Sequence, residues 1–152
     1  MFIPLHPPAN PAPRKLVACS NKLQALLNAI AEKEIGPDTV LTINREIEQV
    51  NAAADLDERA HKKAHTRAYN RISNLVRKEY SYVGKGYNMA LWMSIGMSAF
   101  GIPFGMAFGL AMDNMGLMGM GIGFGLAIGL AIGAGLDEKA KKEGKQLNMG
   151  KA

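Results

Sequence analysis

Few side chains in this sequence of 152 residues have the types and spacing needed for chemistry. His61 and His65 stand four apart, as two zinc ligands on one helix face do. No glutamate follows His61 as in an HExxH pair, and no third ligand is in view, so solvated histidines and no metal site are expected. Cys19 is the one cysteine, which excludes an internal disulfide framework and a multi-cysteine metal site. Leu16 to Cys19 spell a lipobox-like tetrapeptide, but prolines precede it and Arg14-Lys15 abut it, the reverse of a basic start followed by an apolar run. Cys19 therefore reads as a reduced thiol near the start of a helix. Met89, Met93 and Met97 form two overlapping MxxxM units, thioethers that could hold Cu(I). Methionine is also an ordinary flexible packing residue, so Cu(I) handling stands only as a minor alternative. No nucleophile–base pair, phosphate loop or metal constellation appears. The reading is a non-enzyme with no catalytic residue and no cofactor.

The element that organises the chain is Gly86 to Leu136, whose single charged side chain is Asp113. Residues 87–112 and 115–136 each exceed the roughly 20 apolar residues that span a bilayer. Asp113-Asn114 between them suffices for a tight turn. The rest of the chain is too polar to cover two such helices in a soluble core, so the expectation is a transmembrane helical hairpin. Gly101, Gly105 and Gly109 repeat at four in the first span after Met89, Met93 and Met97. Gly121, Gly125, Gly129 and Gly133 do so in the second. Small residues at this spacing let helix backbones approach closely in lipid. A second stripe, Gly119, Gly123, Ala127, Ala131 and Gly135, is offset by two residues, about 200° around a helix. One stripe can pack within the hairpin and the other against a neighbouring copy, which predicts a homo-oligomer. The same letters alternate small and large as a strand does, but an isolated strand leaves its backbone unsatisfied in lipid. Pro103 is expected to kink the first span.

Upstream, five of the seven prolines lie before residue 14, and residues 1–19 are read as a disordered Pro-rich arm. The module over residues 20–82 is marked by three helical stripes: Leu23, Leu26, Leu27 and Ile30; Val40, Ile43, Ile47 and Val50; and Leu56, Ala60, Ala64, Ala68, Ile72, Leu75, Val76 and Val83. Ser20 or Asn21, Asp38 or Thr39, and Asp55 are the expected caps. The fold class is all-α: a small N-terminal helical bundle, a two-helix transmembrane hairpin and a charged cytoplasmic tail over 137–152. The third helix is basic, with Lys62, Lys63, Arg67, Arg71, Arg77 and Lys78, and Lys85 follows it. Lys141 and Lys142 lie beyond the second span. Lysine and arginine beside a span mark the cytoplasmic side, so both termini are expected inside, and the basic face suits anionic membrane lipid. Tyr80, Tyr82, Tyr87 and Trp92 fit an interfacial aromatic belt. The formal charge is +5, but no block of interleaved basic and aromatic residues points to nucleic acid.

Residues 101–147 end in LAIGAGLDEKAKKEGKQL. This resembles the small bacterial glycine zipper family of membrane proteins, with the distinctive part running from Leu136-Asp137 to Gln146-Leu147. The resemblance implies a bacterial membrane protein and little about chemistry, and with both flanks basic the expected location is the bacterial inner membrane. An ATP-synthase c subunit is excluded, because no carboxylate lies between Met115 and Leu136. The expected function is an oligomeric membrane anchor for a cytoplasmic helical module whose partner is unknown. The alternative is a pore-forming or permeabilising protein, toxin-like or holin-like.

Overall fold

The computed structural model describes residues 1–8, 12–55, 57–114, 116 and 118–149, apart from the side chains of Asp55 and Met118. Within these the chain is all-α save for two paired dipeptides, and it divides into two compact units. The first comprises Met1–Val83 and the chain from Leu147 on; the second is Gly84–Gln146.

In the first unit, helices α1 (Arg14–Ala31), α2 (Pro37–Ala52) and α3 (Glu58–Tyr80) form a bundle. The stripes predicted from spacing meet in one core, where Leu23, Ile30, Ile43, Ile47, Ile72 and Val76 are all but inaccessible. Leu56 lies outside the described residues. Helix starts differ from expectation. Pro13, with φ fixed near −61°, precedes the first turn of α1, so the helix opens six residues before Ser20, which is buried within it. Gly36 and Pro37 open α2, in keeping with proline's fitness for a first helical position. Asp57 rather than Asp55 caps α3, accepting the N–H of Ala60 at 2.7 Å. A short 3-10 turn, Ala53–Asp55, ends the segment before it.

The expected disorder of residues 1–19 is corrected as well. Arg14 onward is helix, and residues 1–6 are bonded to α2 through Asn44 and Asn51, with Phe2, Ile3 and Leu5 against the core. The chain after the hairpin also returns to this core. Leu147 is buried in it, and the Tyr69 hydroxyl points to Met149 Sδ at 3.8 Å. Such additions matter for a bundle this small, which has little surface to bury.

The second unit holds two apolar helical stretches. Tyr87–Ala111 comprises α4 (Tyr87–Gly96), a π turn (Met97–Gly101) and α5 (Ile102–Ala111); α6 runs from Met118 to Lys142. Both stretches are long and apolar enough to cross a membrane. Just before Pro103, where a kink is expected, the helix makes the π turn. Proline lacks an N–H and crowds the carbonyl four residues back, and the wider turn relieves both. The first apolar stretch ends in a Schellman closure: Asn114 N–H donates to Gly109 O at 3.0 Å and Asp113 N–H to Leu110 O at 3.3 Å. Asp113 holds the left-handed position at φ 47°. Helix α6 outruns the predicted span by six residues into the charged tail, supported by Glu138–Lys142 at 2.8 Å, and ends in a second Schellman closure on Gly144. Dipeptides β1 (Val83–Gly84) and β2 (Gln146–Leu147) pair as a two-stranded ladder.

Candidate functional site

The hairpin is built inside out relative to a soluble core. Within its apolar stretches the buried residues described are glycines: Gly96, Gly101, Gly105 and Gly109 on one side, Gly121, Gly125, Gly129 and Gly133 on the other. Its large side chains, including Phe104, Phe108, Leu110, Phe124, Ile128 and Leu130, face outward. Backbone meets backbone at every step. A methyl added at Gly125 would come within 2.6 Å of Gly101 N and also strike Gly96 O. One at Gly129 would lie 2.9 Å from Met93 Cα, one at Gly121 2.7 Å from Gly101 O, and one at Gly133 2.7 Å from Asn88 O. Gly119, Gly123 and Gly135 have open space where a side chain would go, and Ala127 and Ala131 on the same stripe are exposed. Of the two small stripes on α6, one is therefore consumed within the hairpin and the other is free in this chain.

On the first helix the inward face departs from an unbroken period of four. It passes through Met89, Met93 and Gly96, then Gly101, Gly105 and Gly109. The π turn takes up the extra residue between Gly96 and Gly101 and leaves Met97 40% exposed. The three methionines therefore do not share one line. Spacing alone could not show this, because Pro103 signals a disturbance of the helix but not the one-residue register shift of a π turn.

Asp137 completes the site. It stands four residues beyond Gly133, extends the inward stripe and is 7% exposed. Its two carboxylate oxygens accept the N–H groups of Asn88 and Met89, each at 3.1 Å. Helix α4 starts after Gly86, whose φ is 75° and which offers no side-chain cap. The first N–H groups of a helix lack partners within it and carry its positive end, so the carboxylate of α6 caps α4 across the hairpin. Continuation of the four-residue period from Gly133 to Asp137 was the available signal.

The remaining predicted residues lie elsewhere. Lys63, Arg67, Arg71, Arg77, Lys78 and Lys85 are exposed and Lys62 half-buried. Arg71 pairs with Glu46 at 2.8 Å, and Arg77 donates to Asn74 at 2.9 Å. Lys141 is exposed, and Lys142 is the partner of Glu138. Asp113 and Asn114 are exposed at the turn. Tyr87 and Trp92 are half-buried at the start of the first span. Tyr80 and Tyr82 instead serve the bundle. The Tyr80 oxygen accepts the Gly36 N–H at 2.7 Å and lies 3.0 Å from Thr39 Oγ1 at the start of α2, and the Tyr82 hydroxyl donates to Glu34 O. A solvent-facing aromatic has no such ties.

The histidine pair is not solvated. His61 is 5% exposed and His65 fully buried, with their Nε2 atoms 3.1 Å apart. His65 Nδ1 is buried without a hydrogen-bond partner. Burial, reinforced by the charge on His61, lowers the His65 pKa from 6.5 to about 4. Among the described residues no group of three His, Cys, Asp or Glu is arranged to hold a metal.

Fold and site define a class: a small helical bundle joined to a glycine-packed apolar hairpin with a carboxylate clamp at its base. No family model matches the chain, and comparison with curated proteins and with solved structures found no match.

Proposed function

We propose that this is a non-catalytic integral membrane protein. Its hairpin self-associates and anchors the helical bundle at the cytoplasmic face of a bacterial inner membrane, in the manner of the glycine zipper proteins that residues 101–147 resemble. The observation that carries the reading is the inverted hairpin, with glycine backbones inside and phenylalanine, leucine and isoleucine outside. Water penalises that exposed surface by about 25 cal/mol per Å², whereas lipid removes the penalty and leaves close helix contact as the driving force. The free stripe of Gly119, Gly123, Ala127, Ala131 and Gly135 supplies the surface for a second copy. Lysine and arginine on both flanks favour termini inside and the Asp113 turn outside. The pore alternative lacks polar lining: the hydroxyls of Ser94 and Ser98 donate to their own helix, at Ala90 O and Ser94 O.

Cross-linking in membranes tests the assignment of the two stripes. Gly123→Leu with Ala127→Leu should abolish the oligomer and leave the inserted hairpin intact. Gly125→Leu with Gly129→Leu should break the hairpin itself. An unchanged ladder in the first variant would overturn the oligomer, and discrete conductance of the purified protein in a planar bilayer would replace the anchor with a pore.

A further inference from the structure

Two asparagines on α2 hold the N-terminal segment by its backbone. Asn44 Oδ1 accepts the Ile3 N–H at 3.0 Å, while its Nδ2 donates to Met1 O at 3.3 Å. Asn51 repeats the arrangement one step on, accepting the His6 N–H at 2.9 Å and donating to Pro4 O at 3.0 Å. Each carboxamide thus spans the N–H of one residue and the carbonyl two residues before it. The two brackets are three residues apart in the segment and seven apart in the helix. These lengths match: three residues of polyproline II advance about 9 Å, and seven helical residues about 10.5 Å. Segment and helix run in the same direction.

The pattern draws N–H groups only from positions 3 and 6. Positions 4, 7 and 8 are therefore free to lack one, and all three are proline. Apolar contacts add to the backbone grip, with Phe2, Ile3 and Leu5 partly buried against the bundle core.

We infer that α2 carries a binding face for extended, proline-containing peptides. Residues 1–6 occupy it in cis as a displaceable strap, and a partner protein's segment with apolar residues around a proline can take their place. Three of the four hydrogen bonds are solvent-exposed, and among the described residues no backbone–backbone bond joins the segment to the bundle. Such a segment opens locally at far lower cost than the core. The binding mode reads backbone through the two asparagines and side chains through the sites of Phe2, Ile3 and Leu5. Proline lowers the entropy lost on docking because polyproline II is already its preferred state. The inference names the kind of partner the anchored bundle holds and rests on that reading of the first unit. Peptide binding is measurable whether or not the hairpin oligomerises, so the two fail separately.

The test uses the full chain in micelles and a fluorescent peptide of sequence MFIPLHPP. Ile3→Pro with His6→Pro removes both N–H donors and frees the face. This variant should bind the peptide saturably, at least tenfold more tightly than the unaltered protein, whose own strap competes. Adding Asn44→Ala and Asn51→Ala should weaken that binding tenfold or more, and a scrambled peptide should not bind. Equal binding by the strap variant and the unaltered protein overturns the inference, as does indifference to the asparagines. Should the proline variant lose helicity, hydrogen exchange of the unaltered protein decides. Excess peptide must expose the His6 amide, and an unchanged rate refutes displacement.

Discussion

Acid should loosen the helical bundle through His65, and the size of the effect follows from its surroundings. The ring is fully buried, its Nδ1 has no partner, and its Nε2 faces His61 Nε2 at 3.1 Å. Its pKa falls from 6.5 to about 4, first through burial and then through the charge on His61. At about 1.36 kcal/mol per pH unit, protonated His65 is about 3 kcal/mol less favourable in the folded chain than in the unfolded one. Above pH 6.5 the ring is neutral in both states and costs nothing. Below it the unfolded chain gains the proton first, so stability falls with pH and the loss is complete near pH 4. Acid acts on more than one group of the chain, so the quantity to measure is the difference between the protein and His65→Leu. Denaturant unfolding of the full chain in micelles can be followed in two bands. Near-ultraviolet tyrosine signals report mainly the bundle, through Tyr69, Tyr80 and Tyr82, while Trp92 is the single tryptophan and reports the hairpin. The tyrosine-detected difference should change by about 3 kcal/mol between pH 7 and pH 4. A difference that stays flat across that range would refute the burial argument.

Three other perturbations follow from the same contacts. Asp137→Ala removes the carboxylate that caps α4 and should cost the hairpin about 1–2 kcal/mol; faster amide exchange at Asn88 and Met89 is the readout, and an unchanged rate would deny the clamp. Gly129→Ala drives a methyl into the backbone at Trp92 and Met93, and overpacking of this kind costs about 1–3 kcal/mol; Trp92 fluorescence during unfolding should register it, whereas Gly123→Ala, facing open space, should be neutral. Tyr80→Phe removes the partner of the partly buried Gly36 N–H at the head of α2, a loss of about 1 kcal/mol for an ordinary hydrogen bond; an unaltered tyrosine-detected midpoint would show that the tie carries no energy.

The clamp gives the tail sequence a physical account. In LDEKAKKEGKQL, Asp137 caps the opposite helix, Glu138 pairs with Lys142, Gly144 takes the left-handed closing position and Leu147 fills the bundle core. Four positions of one short segment thus have separate structural duties.

The sequence by itself determined the class of each part. Three apolar stripes at helical spacing suffice for a bundle, because only one face of each helix can be buried. Two runs of more than 20 apolar residues around one aspartate suffice for a hairpin, because length and composition alone set membrane compatibility. Tertiary structure decided what depends on partners remote in the chain. The histidines are buried rather than wet because α3 presents them on the same inward side as Ala68 and Ile72. Tyr80 and Tyr82 belong to the bundle because Gly36 and Glu34, more than forty residues away, need their hydroxyls. Met97 yields its place to Gly96 because a π turn shifts register ahead of Pro103. Asp137 is a clamp because close glycine packing brings the end of one helix to the start of another. Residues 1–8, too proline-rich to form a helix, are nonetheless held because Asn44 and Asn51 match their three-residue period. A one-dimensional pattern shows which faces are apolar or small, but which atoms complete one another's hydrogen bonds is settled only when the faces meet.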